Sequence, residues 1–315
     1  MKKTFSRLLL MSSVGLLLMG AGTCHPVGLY ENYFLDRLAR DGFVQRTIAL
    51  GPDTVTYWDN GKQKPTLLLA HGFGGGGTWS WTKQLETLGQ HYRVIAPDFL
   101  WFHNSHSKER DFSLEHQTRM LLSLLDHLKI QQTHLLGTSY GGLVSYMLAM
   151  KAPERVNKIV FAASPGPDYH AKDYDEMCER LGIKHMGELL LVETADDLKF
   201  LMDSIYYKPK WLPRWVRERL VNTHYKNFRQ ERTELLTQLI KEQNNIVNQT
   251  EIIPHEALLL YGEFDLLFPV SLGERYKAYL GESATLKVIP DTRHVPQIEN
   301  DEVFNKYVID FLGVR

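Results

Sequence analysis

The chain has 315 residues, with 36 Lys and Arg against 37 Asp and Glu, so its net charge of −1 attracts no polyanion and no nucleic-acid partner is expected. Apolar residues at 43% and charged residues at 23% describe an ordinary globular protein and exclude a disordered one. Two cysteines, Cys24 and Cys178, with no C-x-x-C pair, exclude a disulfide scaffold and argue against structural zinc.

The start, MKKTFSRLLLMSSVGLLLMGAGTC, sets Lys2, Lys3 and Arg7 before an apolar stretch from Leu8 to Gly22, the layout of a secretory signal. As a helix that stretch spans only ~22 Å against a hydrocarbon layer of ~30 Å, which favours export over a membrane span. The small residues before Cys24 resemble a bacterial lipoprotein processing site. The resemblance implies that residues 1–23 are a signal peptide and that Cys24 is lipidated. Thr23 departs from the usual Gly, Ala or Ser, and ordinary signal cleavage or an uncleaved anchor are the alternatives. The expected location is a membrane-anchored lipoprotein, or otherwise a periplasmic or secreted protein.

Further along, strands alternate with helices, and no internal repeat is found. FVQRTIALG and DTVTYWDNG are predicted strands of a hairpin turning at Gly51-Pro52. Thr66 to Ala70 is a continuous apolar run, the pattern of a strand buried on both faces. Then come a predicted helix from Trp79 to Leu88, the strand YRVIAPDF, and a helix from Ser113 to Leu128 opened by Ser113. THLLGTS reads as a strand, Tyr140 to Met150 as a helix ended by Pro153, and VNKIVFAASPG as a strand. From 167 to 250 the pattern is helical and polar-aromatic. EALLLYGEFD and ATLKVIPDTRH then resume the buried-strand pattern before a closing helix from Asp301 to Leu312. The expected fold is α/β, a mostly parallel central sheet flanked by helices, with a core over 28–166 and 251–315 and an inserted helical cap over 167–250.

Gly is unfavourable inside strands and helices, yet LLGTSYGGL places Gly137, Gly141 and Gly142 around Ser139 at a strand-to-helix junction. The G-x-S-x-G spacing suits a sharp turn that thrusts a serine oxygen out of the fold where larger side chains would collide. Open α/β sheets bind ligands at the carboxyl ends of their strands, so polar residues directly after buried runs share one rim: His71-Gly72-Phe73, Ser139, Asp265 and His294. A serine hydroxyl attacks poorly until a base lies within hydrogen-bond reach, and His294 is the candidate base for the nucleophile Ser139. Asp265 is the candidate acid that holds the imidazole tautomer, with Asp168 as the alternative. His103 and His106 fall in a polar loop, and His255 precedes a strand.

With its order Ser, acid, His, and its motifs HGF, GTSYGG, YGEFD and TRHVPQIEN, the chain resembles the α/β-hydrolase fold superfamily over nearly all its mature length. Through its leader and the stretch IYYKPKWLPRWVRERL it is similar to membrane-associated bacterial lipases and monoacylglycerol lipases. The resemblance implies an oxyanion hole from the backbone N–H groups of Phe73 and Tyr140, with Gly74 to Gly77 letting the chain pass close to a bound acyl group. It implies neither metal nor organic cofactor. Two positions depart from the family. Trp101-Phe102-His103 replaces a Gly-x-Gly turn, so a different loop path is expected, and Arg293 replaces a common glycine before the histidine.

Between Lys208 and Arg232 eight basic and two acidic residues are interleaved with Trp211, Trp215, Tyr225 and Phe228. This is read either as a face that docks on anionic lipid or as a cap whose aromatics pack on the core. The expected function is a serine hydrolase that cleaves carboxylic esters of lipidic or other apolar acyl groups, a lipase or esterase, with membrane association through the N-terminus and through the cap. The rivals are a carbon-carbon bond hydrolase of the same fold and a non-catalytic ligand-binding protein.

Overall fold

The computed structural model describes residues 26–246 and 252–313. The expected signal peptide and Cys24 lie outside the described residues. Residues up to Arg40 form a unit of their own. Its described part is helix α1 (Pro26–Arg40), whose Arg37 and Arg40 sit in the last turn, where the helix dipole favours cations. No sequence signal had been assigned to this helix.

From Asp41 onward the chain builds a nine-stranded sheet. Strands β1 (Val44–Leu50) and β2 (Asp53–Asp59) form the expected antiparallel hairpin. They are followed by β3 (Thr66–Ala70), β4 (Arg93–Pro97), the short β5 (His106–Ser107), β6 (Thr133–Thr138), β7 (Val156–Ala162), β8 (Ala257–Gly262) and β9 (Ala284–Ile289). Across the sheet the order is β1-β2-β4-β3-β6-β7-β8-β9, parallel from β4 to β9, while β5 pairs with β2. Leu67, Leu68, Val94, Ile95, Leu135, Leu136, Ile159 and Val160 are fully buried, as central strands covered on both faces require. The chain runs from β3 to β4 on one side and returns to β6 on the other. The order therefore switches direction at β3, and a crevice opens at the carboxyl ends of β3 and β6.

The covering helices in the first half are α2 (Gln84–Gly89), α3 (Leu114–His127) and α4 (Tyr140–Lys151). Ser113 caps α3, its hydroxyl accepting from the His116 amide at 3.1 Å. The single helix expected from Trp79 to Leu88 is instead a 3₁₀ turn, Trp79–Trp81, followed by α2. Trp79 and Ser80 line a cavity while Trp81 enters the core.

Between β7 and β8 lie α5 (Ala171–Leu181), α6 (Gly187–Leu190), α7 (Ala195–Ile205), α8 (Arg214–His224) and α9 (Arg229–Ile246). A capping box starts α7, with Thr194 and Asp197 exchanging backbone bonds, and Gly182 in the left-handed region ends α5. Helix α9 reaches back to the core, where Glu242 Oε2 accepts from the Leu114 amide at 2.9 Å at the start of α3. The parallel step from β8 to β9 carries α10 (Val270–Leu280), which sequence reading missed although such crossovers require a long connection. α11 (Pro296–Glu299) and α12 (Asp301–Leu312) close the chain. β9 is not the buried strand expected. It pairs only with β8 and leaves Thr285, Lys287 and Val288 exposed, because it is the edge of the sheet. Among the described residues no helix is long and apolar enough to cross a membrane.

Candidate active site

Ser139 stands between β6 and α4 with φ 52° and ψ −119°, a conformation that costs of order 1–3 kcal/mol for a residue with a Cβ. Hydrogen bonds to its backbone hold it there. Its amide donates to Ala162 O at 2.9 Å, and its carbonyl accepts from the Gly142 amide at 2.9 Å and from Ser164 Oγ at 3.0 Å. The glycines have steric causes: a Cβ on Gly137 would lie 2.5 Å from Gly141 O, and one on Gly141 would overlap the carbonyl of Ala70 on β3. Close approach of α4 to the sheet thus fixes the serine at the rim.

His294 follows β9 and Asp265 follows β8. Ser139 Oγ lies 3.1 Å from His294 Nε2, and His294 Nδ1 lies 2.9 Å from Asp265 Oδ2. Asp265 Oδ1 accepts from the amides of Leu267 at 2.8 Å and Phe268 at 3.1 Å. With both carboxylate oxygens accepting, the imidazole proton belongs on Nδ1, and Nε2 is left to accept from the serine hydroxyl. Asp168 is placed elsewhere: its carboxylate pairs with Arg275 Nε at 3.2 Å, alongside Asp173. Arg180, on α5, holds the loop of the acid, donating to Leu266 O at 3.1 Å and Leu267 O at 3.3 Å.

Among the described residues neither the Phe73 nor the Tyr140 amide donates to a protein acceptor. His71 orients the first of them. Its Nε2 accepts from the Phe99 amide at 2.9 Å, so Nδ1 carries the proton and donates to Gly72 O at 2.7 Å, which also accepts from Gly75 N at 3.0 Å. The trans peptide is planar, so fixing the Gly72 carbonyl points the Phe73 N–H the opposite way. Burial pushes the His71 pKa down to about 3 and keeps this ring neutral. The Tyr140 ring packs against Phe99 and Phe73 at 5.5 and 6.0 Å, and burial raises its phenol far above the ordinary value.

A cavity of about 380 Å³ opens on Ser139 and His294. Its far wall comes from the inserted helices: Met186, Leu190, Leu198, Leu201, Met202 and Ile205. Among the described residues that line it, none is Lys or Arg. Sequence reading missed His103 and His224 as lining residues. His103, expected in a polar loop, lies 5.7 Å from the His224 ring, and burial holds His224 down at about 4. The cavity-facing residues of α8, Leu220 and His224, were hidden because Arg214, Arg217, Glu218 and Arg219 interrupt its apolar pattern.

One expectation fails here, and a second gains a further cause. The loop after β4 keeps the left-handed backbone despite its bulky side chains, with φ 73° at Trp101 and 49° at His103. Packing compensates, since Trp101 lies against Phe112 and Phe228 at 5.4 and 5.8 Å. The glycine run also has another cause than approach to an acyl group alone. Gly74 and Gly75 line the cavity, but a Cβ on Gly76 would overlap His103 and one on Gly77 the Ala96 carbonyl. The cap aromatics divide: Tyr225 lines the cavity and Phe228 packs on Trp101, whereas Trp211 and Trp215 are 80% and 48% exposed. Among the described residues no group of His, Cys, Asp and Glu could hold a metal ion.

Residues 65–186 match the family model of the alpha/beta hydrolase fold. The 2-hydroxy-6-oxononadienedioate/2-hydroxy-6-oxononatrienedioate hydrolase of Paraburkholderia xenovorans is 30% identical over 269 residues, 82% of this chain and 90% of that protein. A solved membrane phospholipase A, described as a bacterial virulence factor, superposes with a TM-score of 0.76 at 24% identity, over 97% of this chain and 98% of that one. The 2-hydroxy-6-oxo-6-phenylhexa-2,4-dienoate hydrolase of Rhodococcus sp. strain RHA1 gives 0.73 at 20% identity, over 86% and 98%. These two structural likenesses show the fold. The sheet, the elbow that carries Ser139 and the match to the 30% identical relative agree: the chain belongs to the alpha/beta-hydrolase fold family and is a hydrolase of small molecules.

Proposed function

We propose that the chain is a serine carboxylic-ester hydrolase, a lipase or esterase for apolar acyl groups. The observation that carries this reading is the cavity on Ser139, walled by Leu, Met and Ile and, among the described residues, without a Lys or Arg in its lining. Burying an ester with an aliphatic chain there is favourable, by about 0.8 kcal/mol per methylene. A dioate, such as the relative's name describes, would bring carboxylates into an apolar site with no lysine or arginine to pair them, which is costly. That relative is nevertheless the support for the second reading, a carbon-carbon bond hydrolase using the same three side chains.

Ser139 Oγ attacks the ester carbonyl as its proton passes to His294 Nε2, and Asp265 stabilises the imidazolium through Nδ1–H. The amides of Phe73 and Tyr140, without an acceptor among the described residues, donate to the developing oxyanion. The alcohol leaves with the proton from His294, and water, deprotonated by the same nitrogen, releases the acid. The test is hydrolysis of p-nitrophenyl esters from acetyl to palmitoyl. The expected result is kcat/KM rising about fourfold per methylene until the cavity is filled, and activity abolished in Ser139→Ala with an unchanged circular dichroism spectrum. Turnover of dienone acids but not of esters would replace this reading by the second one.

Export and a lipid anchor on Cys24 belong to the same proposal, supported by the leader sequence. The exposed Trp211 and Trp215, with Lys208, Lys210 and Arg214 around them, support contact of the cap with an anionic lipid surface. Mass spectrometry of the mature N-terminus tests the anchor, and an unmodified Cys24 would remove it.

A further inference from the structure

Arg293 directly precedes the candidate base. Its Nη1 donates to the carbonyls of Asp203 at 2.6 Å and Tyr206 at 3.3 Å, at the C-terminal end of α7. The last carbonyls of a helix lack intrahelical partners and favour a cation. Glu299, on α11, completes the link. Its Oε2 accepts from the Arg293 amide at 2.8 Å, while Oε1 accepts from the amides of Tyr207 at 2.7 Å and Lys208 at 3.3 Å. The His294 amide itself donates to Ile205 O at 3.0 Å. From the other side the loop is pressed against the sheet, since a Cβ on Gly262 would overlap the carbonyl of Arg293. The backbone of residues 293 and 294 is thus held between the end of β8 and the segment 203–208, whose Ile205 and Tyr206 line the cavity.

From this geometry we infer that Arg293 and Glu299 are positioning residues that tie the wall of the acyl cavity to the imidazole of His294. The inference rests on the reading of Ser139 and His294 as the reacting pair. A displacement of about 1 Å at such a pair costs on the order of 100-fold in rate, and the clamp removes the freedom of the loop to make it.

The test is phosphonylation by an alkyl fluorophosphonate, followed by intact mass. In this reaction Ser139 Oγ bonds to phosphorus, fluoride leaves, and the serine proton goes to His294. Arg293→Ala and Glu299→Gln are expected to lower the rate constant at saturating probe by ~10- to 100-fold without raising the half-saturating concentration, and Arg293→Lys is expected to recover part of the loss. A merely structural role lowers the fraction of protein that is labelled but not the rate constant of the fraction that reacts. If Arg293→Ala does not fold, Glu299→Gln and Arg293→Lys decide. Variants that react within twofold of the wild type overturn the proposal alone. A wild type that does not react overturns the nucleophile reading and the proposal with it.

Discussion

The sheet rim and the helices between β7 and β8 meet at one cavity, but they contribute to it by different physics. On the rim, backbone hydrogen bonds place each side chain: Ala162 and Ser164 hold Ser139, and the amides of Leu267 and Phe268 hold Asp265. On the opposite wall the side chains of Leu198, Leu201 and Met202 present an apolar surface with no directional bonds to substrate. Directional contacts fix a reaction and tolerate little change. Non-directional contacts set which groups fit, and they change by increments.

The sharpest way to break this comparison is on the rim. Asp265→Asn preserves the shape but offers an N–H to His294 and inverts its tautomer, so activity is expected to fall ~10⁴-fold while thermal stability changes little. An esterase assay beside a melting curve decides it, and a loss under tenfold would show that Asp265 does not orient the ring. Acidification probes both sides at once. His71 on the rim and His224 in the cap have folded pKa values of about 3 and about 4, below the ordinary ~6.5. The unfolded chain therefore binds more protons between these limits. The stability from each group is complete above pH ~6.5 and is lost as pH falls toward its folded value. Urea midpoints are expected to drop from pH 7 to pH 4.5, and His224→Leu should recover about 2 kcal/mol of the loss.

Smaller effects belong to the wall. Leu201→Trp fills part of the cavity and is expected to cut kcat/KM for palmitoyl esters ~10-fold relative to butyryl esters, with turnover of the short ester retained. Equal losses for both would mean that the wall also carries the chemistry. Least of all, Trp211→Ala combined with Trp215→Ala should lower hydrolysis on anionic vesicles ~threefold and leave a soluble ester unaffected. Measuring both substrates on one preparation separates docking from catalysis.

Ser139 could be singled out in the sequence because it directly follows a buried apolar run, and Asp265 and His294 because each comes a few residues after a strand whose carboxyl end lies on the same rim. The choice between Asp265 and Asp168 rested on a preference, since both follow strands. What separates them is the loop at Leu267-Phe268, whose amides and Arg180 clamp turn one carboxylate toward the ring. The far wall was illegible for a different reason. Several short helices share one cavity, and the inward face of each depends on its neighbours rather than on its own period. His103 and His224 entered the site in this way, brought together by a turn whose left-handed residues, Trp101 and His103, contain no glycine to announce it.

The arginine clamp of the acid loop has a consequence for exchange of parts. Arg180 comes from the inserted segment and grips Leu266 and Leu267, next to Asp265. A chimera that grafts a foreign insert between β7 and β8 therefore removes a fastening of the Asp265 loop along with one wall of the cavity. Such a transplant keeps that fastening only if the donor helix brings a guanidinium to the same two carbonyls, so the insert is not a freely interchangeable module.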